Sequence, residues 1–101
     1  MCVEWHRADY FWVVDEVAAE LGLEDAVVVV AKGILREARA RRLTSGFKPS
    51  VLAAAALYVA CRMCGRHVPQ KVLAEAAGVT ELAIRMRYHF LVSRLGLVLP
   101  G

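Results

Sequence analysis

Residues 69–97 read PQKVLAEAAGVTELAIRMRYHFLVSRLGL, and this stretch decides the fold, because it spells two helices joined by a tight turn centred on one glycine. Pro69 suits a first helical position, where its missing N–H costs nothing, and Ala74 is small enough for a second helix to cross closely. Gly78 ends the first helix, and Thr80 offers its hydroxyl as the N-cap of the next. In the second helix Ile84, Tyr88, Leu91 and Leu95 recur at steps of four, three and four, so they share one buried face. Leu82, Arg85, Met86 and His89 then face away from the core. The pattern is a helix-turn-helix, which sets the early residues of its second helix where a DNA major groove would be read.

The chain around it has 101 residues, enough for one domain, spanning 1–101, that buries a core of several helices. Hydrophobic residues make up 58% of it, and much of that is Ala and Val, which favours close helix packing over strand pairing. The expected fold class is therefore all-α, with five helices. Tyr10, Val13, Val14, Val17 and Leu21 stripe a first helix, capped by Asp9 and ended by Gly22. Glu24 and Asp25 place negative charge at the start of a second, which runs to about Arg42. Its four valines, residues 27–30, suggest a strand by propensity. Ile34, Leu35 and Ala38 continue at helical spacing, however, so the segment reads as helix with the valines central and poorly exposed, a reading that Gly33 weakens slightly. Residues 51–61 are apolar nearly all round and predict a central helix beginning at Pro49 or Ser50 and ending before Gly65. Ala53, Ala54, Ala55 and Ala56 admit close neighbours there, while Leu57 and Tyr58 fill the gaps. The fourth helix covers about 70–77 and the fifth 81–95, which places the helix-turn-helix at about 69–96.

Several function classes are excluded or disfavoured. The longest plain apolar run, 51–61, falls well short of the roughly 20 residues that a bilayer needs, so no membrane association is expected. Glu4, His6, Arg7 and Asp9 interrupt any apolar signal region, and both absences fit a cytoplasmic, nucleoid-associated protein. Cys61 and Cys64 form a C-x-x-C, with Cys2 or His67 as further ligands if it were a metal knuckle or redox pair. Cys61 also continues the Ala-rich helix, so the favoured reading is structural thiols, with no metal and no cofactor. His6, His67 and His89 have no acidic or Ser partner at a catalytic spacing, and no Gly-rich phosphate loop occurs. No catalytic residue, enzymatic activity or small-molecule substrate is expected. The net charge of +3 and pI near 9.0 permit phosphate contact without requiring it. Arg36, Arg39, Arg41 and Arg42 crowd one helix end, first as cations complementing the helix dipole and second as a face for DNA or another acidic partner.

Three segments in order carry a resemblance: Thr44-Ser45-Gly46-Phe47-Lys48-Pro49, then Ala53-Ala54-Ala55-Ala56-Leu57-Tyr58, then Val79-Thr80-Glu81 with Arg85-Met86-Arg87-Tyr88. Together they resemble archaeal transcription factor B and eukaryotic transcription factor IIB, in the second cyclin-like repeat. The likeness runs over about 10–97 and takes in Glu20-Leu21-Gly22-Leu23 and Leu95-Gly96-Leu97. It implies a five-helix cyclin-like repeat acting in transcription initiation. In that family two repeats follow a zinc ribbon and a flexible segment, and this chain has room for one.

The resemblance also implies partners and site residues. The last two helices of the second repeat read a promoter element upstream of the TATA box while the repeats grip the TATA-binding protein, so the expected partners are promoter DNA and TATA-binding protein, with RNA polymerase or self-association beyond them. Carried over by position, Leu82 and Arg85 are base contacts, and Thr80, Lys71 and Arg87 are backbone contacts. One departure stands out. Where the family carries Asn, Lys and Glu on the outward side of the last helix, this chain has Met86, His89 and Phe90. Leu82, Met86 and Phe90 at steps of four form an apolar band, which supports a second reading: a cyclin-like protein-interaction module using Met86 and Phe90, without sequence-specific DNA reading.

Overall fold

Short turns join five helices in sequence: α1 (Cys2–Leu21), α2 (Asp25–Ala40), α3 (Pro49–Met63), α4 (Gln70–Ala77) and α5 (Glu81–Leu95). The computed structural model describes residues 2–99, with side chains from Tyr10 onward, and among the described residues there is no strand. The arrangement is the all-α cyclin-like repeat with a C-terminal helix-turn-helix.

The core is built on α3. Pro49 follows an extended Lys48 and starts the helix where its fixed φ and absent N–H fit the first turn. Leu52, Ala53, Ala54, Ala55, Ala56, Leu57, Val59, Ala60 and Cys61 are all buried, and α1, α2, α4 and α5 pack around them. The four consecutive alanines are fully enclosed, so neighbouring backbones approach without displacing large side chains. From α1 come Tyr10, Val14 and Val17, and from α2 come Val27, Ala31, Ile34, Leu35 and Ala38.

Three expectations at helix ends and faces need correction. α1 begins at Cys2, so Asp9 lies inside the helix and does not cap it. Residues 2–8 contain neither Gly nor Pro, and nothing local stops the helix from extending over them. The valine run is helical, as expected, but it is not uniformly hidden: Val27 is buried whereas Val29 is 66% exposed. Four consecutive helical residues step about 100° each and sweep almost a full circle, so they cannot all face one core. Pro69 is the N-cap of α4, with an extended ψ of 147°, one position before the helix proper.

The turn between α4 and α5 follows from its residue types. Gly78 takes φ +71° in the left-handed region, which most side chains avoid, and the Val79 N–H then donates to the Ala74 carbonyl at 2.9 Å. Two residues later the Thr80 Oγ1 accepts from the Ala83 N–H at 3.1 Å, as an N-cap should. Thr80→Ala is therefore expected to cost about 1 kcal/mol and, for a domain this small, to lower Tm by about 4–8 °C in a thermal melt. Thr80→Ser should melt close to wild type. Equal melting of the Ala variant and wild type would mean the cap is dispensable.

Candidate nucleic-acid interface

α4 sinks Leu73 and Ala74 into the core and leaves Lys71, Val72 and Glu75 exposed. Across the Gly78 turn, α5 inserts Ile84 and Leu91 fully, with Tyr88 and Leu95 half-buried beside them. The Tyr88 ring lies 4.7 Å from that of Tyr58 on α3, which fixes the rotation of α5 about its own axis. That rotation turns the other face to solvent. Leu82 is 58% exposed, Met86 55%, and Arg85 and His89 lie between and beyond them on the same side.

Arg85 and Lys71 make no hydrogen bond or ion pair among the described residues, so Glu81, one turn before Arg85, does not hold it. The guanidinium keeps all five donors for a ligand. Thr80 is exposed and its oxygen is occupied by the cap, yet its O–H proton is still able to donate. Thr80, Leu82 and Arg85 thus gather at the start of α5, with Lys71 on the supporting helix.

Arg87 does not join them. Two residues beyond Arg85 it is turned about 200° around the helix, and its guanidinium carbon sits 4.0 Å above the Phe47 ring and 5.5 Å from the Phe90 ring. Phe90 leaves the expected apolar band for a related reason. Each step of four residues drifts about 40°, so by Phe90 the band has rotated onto the flank, where Phe47 meets it edge-to-face with centroids 5.6 Å apart. Phe90 is accordingly half-buried, and the exposed part of the band reduces to Leu82 and Met86. Phe47 and Arg94 had no signal as members of this neighbourhood, because nothing in the sequence ties the 44–48 turn to the end of α5.

The C-x-x-C straddles the end of α3, with Cys61 buried and Cys64 exposed as the C-cap. Burial pushes the Cys61 thiol up from 9.0 to about 11, only partly offset by the nearby Arg66 guanidinium. A thiol held protonated is a poor nucleophile and a poor metal ligand. Among the described residues no group of three or more His, Cys, Asp or Glu side chains is placed to hold a metal, while the Cys2 and His6 side chains lie outside the described residues. Brief treatment of the folded protein with iodoacetamide should carboxamidomethylate Cys64 and spare Cys61, as read by peptide mass spectrometry. Labelling of both at one rate would contradict the burial.

Residues 7–94 match the family model described as Transcription factor TFIIB repeat, which takes in all of α2, α3 and α4 and nearly all of α5. The chain belongs to that family. It is 47% identical over 87 residues to Transcription initiation factor IIB of Pyrococcus horikoshii, covering 86% of this chain and 29% of that protein. Against Transcription initiation factor IIB of Archaeoglobus fulgidus it is 46% identical over 90 residues, 89% of this chain and 27% of the relative. Transcription initiation factor IIB 1 of Thermococcus kodakarensis is 48% identical over 87 residues, again 86% of this chain and 29% of that protein. The TFIIB repeat described here thus spans under a third of the length of these relatives. Their names are those of transcription initiation factors and not of enzymes, and no described helix of the repeat is long and apolar enough to cross a membrane.

Proposed function

We propose that this TFIIB repeat binds promoter DNA through the first turns of α5 and works with TATA-binding protein in transcription initiation. The observation that carries the reading is Arg85, exposed and without a partner among the described residues, beside exposed Leu82 on a helix whose entry is fixed by the Gly78 turn and the Thr80 cap. A guanidinium presents two parallel N–H groups that match O6 and N7 of guanine, and a Leu tip can meet a thymine methyl. Lys71 and Thr80 would donate to phosphates and set the register of the helix without carrying sequence information. The test is a mobility-shift titration against a TATA-containing duplex with and without TATA-binding protein. A retarded complex that tightens when TATA-binding protein is present is expected. No shift at low salt in either lane would sink the proposal.

One observation favours a second reading, an interaction module. Leu82 and Met86 place two large apolar side chains, each more than half exposed, on the same face as Arg85. Met86→Glu separates the two, and unlike a change at Phe90 it leaves the Phe47–Phe90 ring contact alone. Under DNA reading, the added carboxylate repels phosphates and weakens duplex binding more at low salt than at high salt, while sedimentation stays that of a monomer. If the wild type instead self-associates and Met86→Glu dissociates it without affecting duplex binding, the face is a protein interface.

A further inference from the structure

The flank of α5 opposite Arg85 carries two more arginines that the DNA reading does not use. Arg87 and Arg94 lie seven residues apart, on one stripe of the helix about 10 Å long, with Phe90 between them. The Arg87 guanidinium carbon lies 4.0 Å from the Phe47 ring centre, and that of Arg94 lies 5.0 Å from the Phe90 ring centre. The two rings are themselves packed edge-to-face, so a pair of cations rests on one aromatic platform. A guanidinium held over a ring loses water on the side facing the ring and some rotamer freedom, while its N–H groups directed away stay able to donate to a bidentate acceptor.

Neither guanidinium makes a hydrogen bond or ion pair among the described residues. The sequence explains why: no Asp or Glu occurs between Glu37 and Glu75, and none follows Glu81. The turn that carries Phe47 therefore has no acid, and on α5 the acid is Glu81 in the first turn, six residues before Arg87 and thirteen before Arg94. Glu37, which comes near this end of the molecule, is taken by Arg41 at 2.8 Å, and Arg41 in turn donates to the Arg94 carbonyl at 3.2 Å. Crowded like charges cost stability until a partner neutralises them.

We infer that the Arg87–Arg94 stripe on the Phe47–Phe90 platform is a docking site for an acidic protein segment, whose Asp or Glu carboxylates pair with the two guanidinium edges. The partner is protein and not the duplex that α5 would read, because Arg87 is turned about 200° from Arg85. A duplex lying against Leu82 and Arg85 leaves this stripe facing outward. Two carboxylates three residues apart in a polyproline-type segment lie on one face about 9 Å apart, close to the spacing of the arginines along the helix. The choice of protein over duplex rests on the DNA reading proposed above, and it reassigns Arg87 away from the DNA contacts.

The test is fluorescence anisotropy with a labelled peptide of four Asp-Asp-Leu repeats, against the neutral Asn-Asn-Leu counterpart. The wild-type protein should bind the acidic peptide and not the neutral one, more tightly at low salt. Arg87→Gln with Arg94→Gln should weaken acidic-peptide binding by about tenfold or more, with unchanged helical circular dichroism. Arg94→Gln alone, at an exposed position, should already show part of the loss even if the double variant folds poorly. The inference is overturned if the wild type does not prefer the acidic peptide, or if Arg94→Gln binds it as well as wild type. It is likewise overturned if a duplex displaces the peptide and the double variant loses duplex affinity to the same degree, which would make the stripe a phosphate site.

Discussion

Replacing Leu57 with Ala is expected to destabilise the domain by about 2–5 kcal/mol, the range for truncating a fully enclosed leucine. Leu57 is 0% exposed and sits on α3, the helix around which the other four pack. Its neighbours make the loss worse than usual. Ala53 and Ala54 lie one turn earlier on the same face, and an alanine has no side-chain torsion with which to move into a void. α3 itself therefore supplies little to refill the cavity, and the cost depends on how far side chains of the surrounding helices relax into it. Small domains hold only about 5–15 kcal/mol in total, so the variant should show a clear fall in urea midpoint at unchanged slope. Ala54→Phe and Ala55→Phe approach the same region from the other side, and overpacking there should cost about 1–3 kcal/mol each. A Leu57→Ala midpoint indistinguishable from wild type, or a stable Ala55→Phe variant with unchanged Tm, would remove α3 from the centre of the fold.

The features that the sequence made legible are those with a local physical signature. Gly78 and Thr80 mark a helix end and a helix start by chemistry that acts over three or four residues, and the structure has both where that chemistry puts them. The all-round apolar character of α3 identified the central helix because burial on every side leaves no other pattern. Where the reading failed, a longer-range effect decided. Asp9 is a good cap that the helix ran past, since a cap stabilises a start without forbidding an earlier one. At Val29 the spacing is right about the helix but not about exposure, because four adjacent helical residues cannot share a face. At the candidate site, Leu82, Arg85 and Met86 were placed correctly on an exposed face by counting from Ile84 and Leu91. Arg87 and Phe90 were not, because their surroundings depend on Phe47, forty residues away in sequence and adjacent only once α2 and α5 have packed on α3.

Arg85→Ala is expected to weaken binding to the preferred duplex by about 1–3 kcal/mol, five- to more than a hundredfold, and to relax preference at one base pair. The size follows from the bidentate geometry, in which two parallel hydrogen bonds are lost together and the guanine edge is left without its partner. Because Arg85 has no partner among the described residues, removing it disturbs nothing else there, and the stability of the free protein should not change. Lys71→Ala provides the contrast. From the supporting helix α4 it would reach only phosphate, so its loss should weaken cognate and scrambled duplexes alike and reduce the salt dependence by about one counterion. Affinities of both variants on both duplexes, each at two salt concentrations, distinguish a base contact from a charge contact. If Arg85→Ala loses equally on cognate and scrambled DNA, Arg85 is a second phosphate ligand, and the sequence preference of this repeat would have to come from Leu82 or from the shape of the duplex.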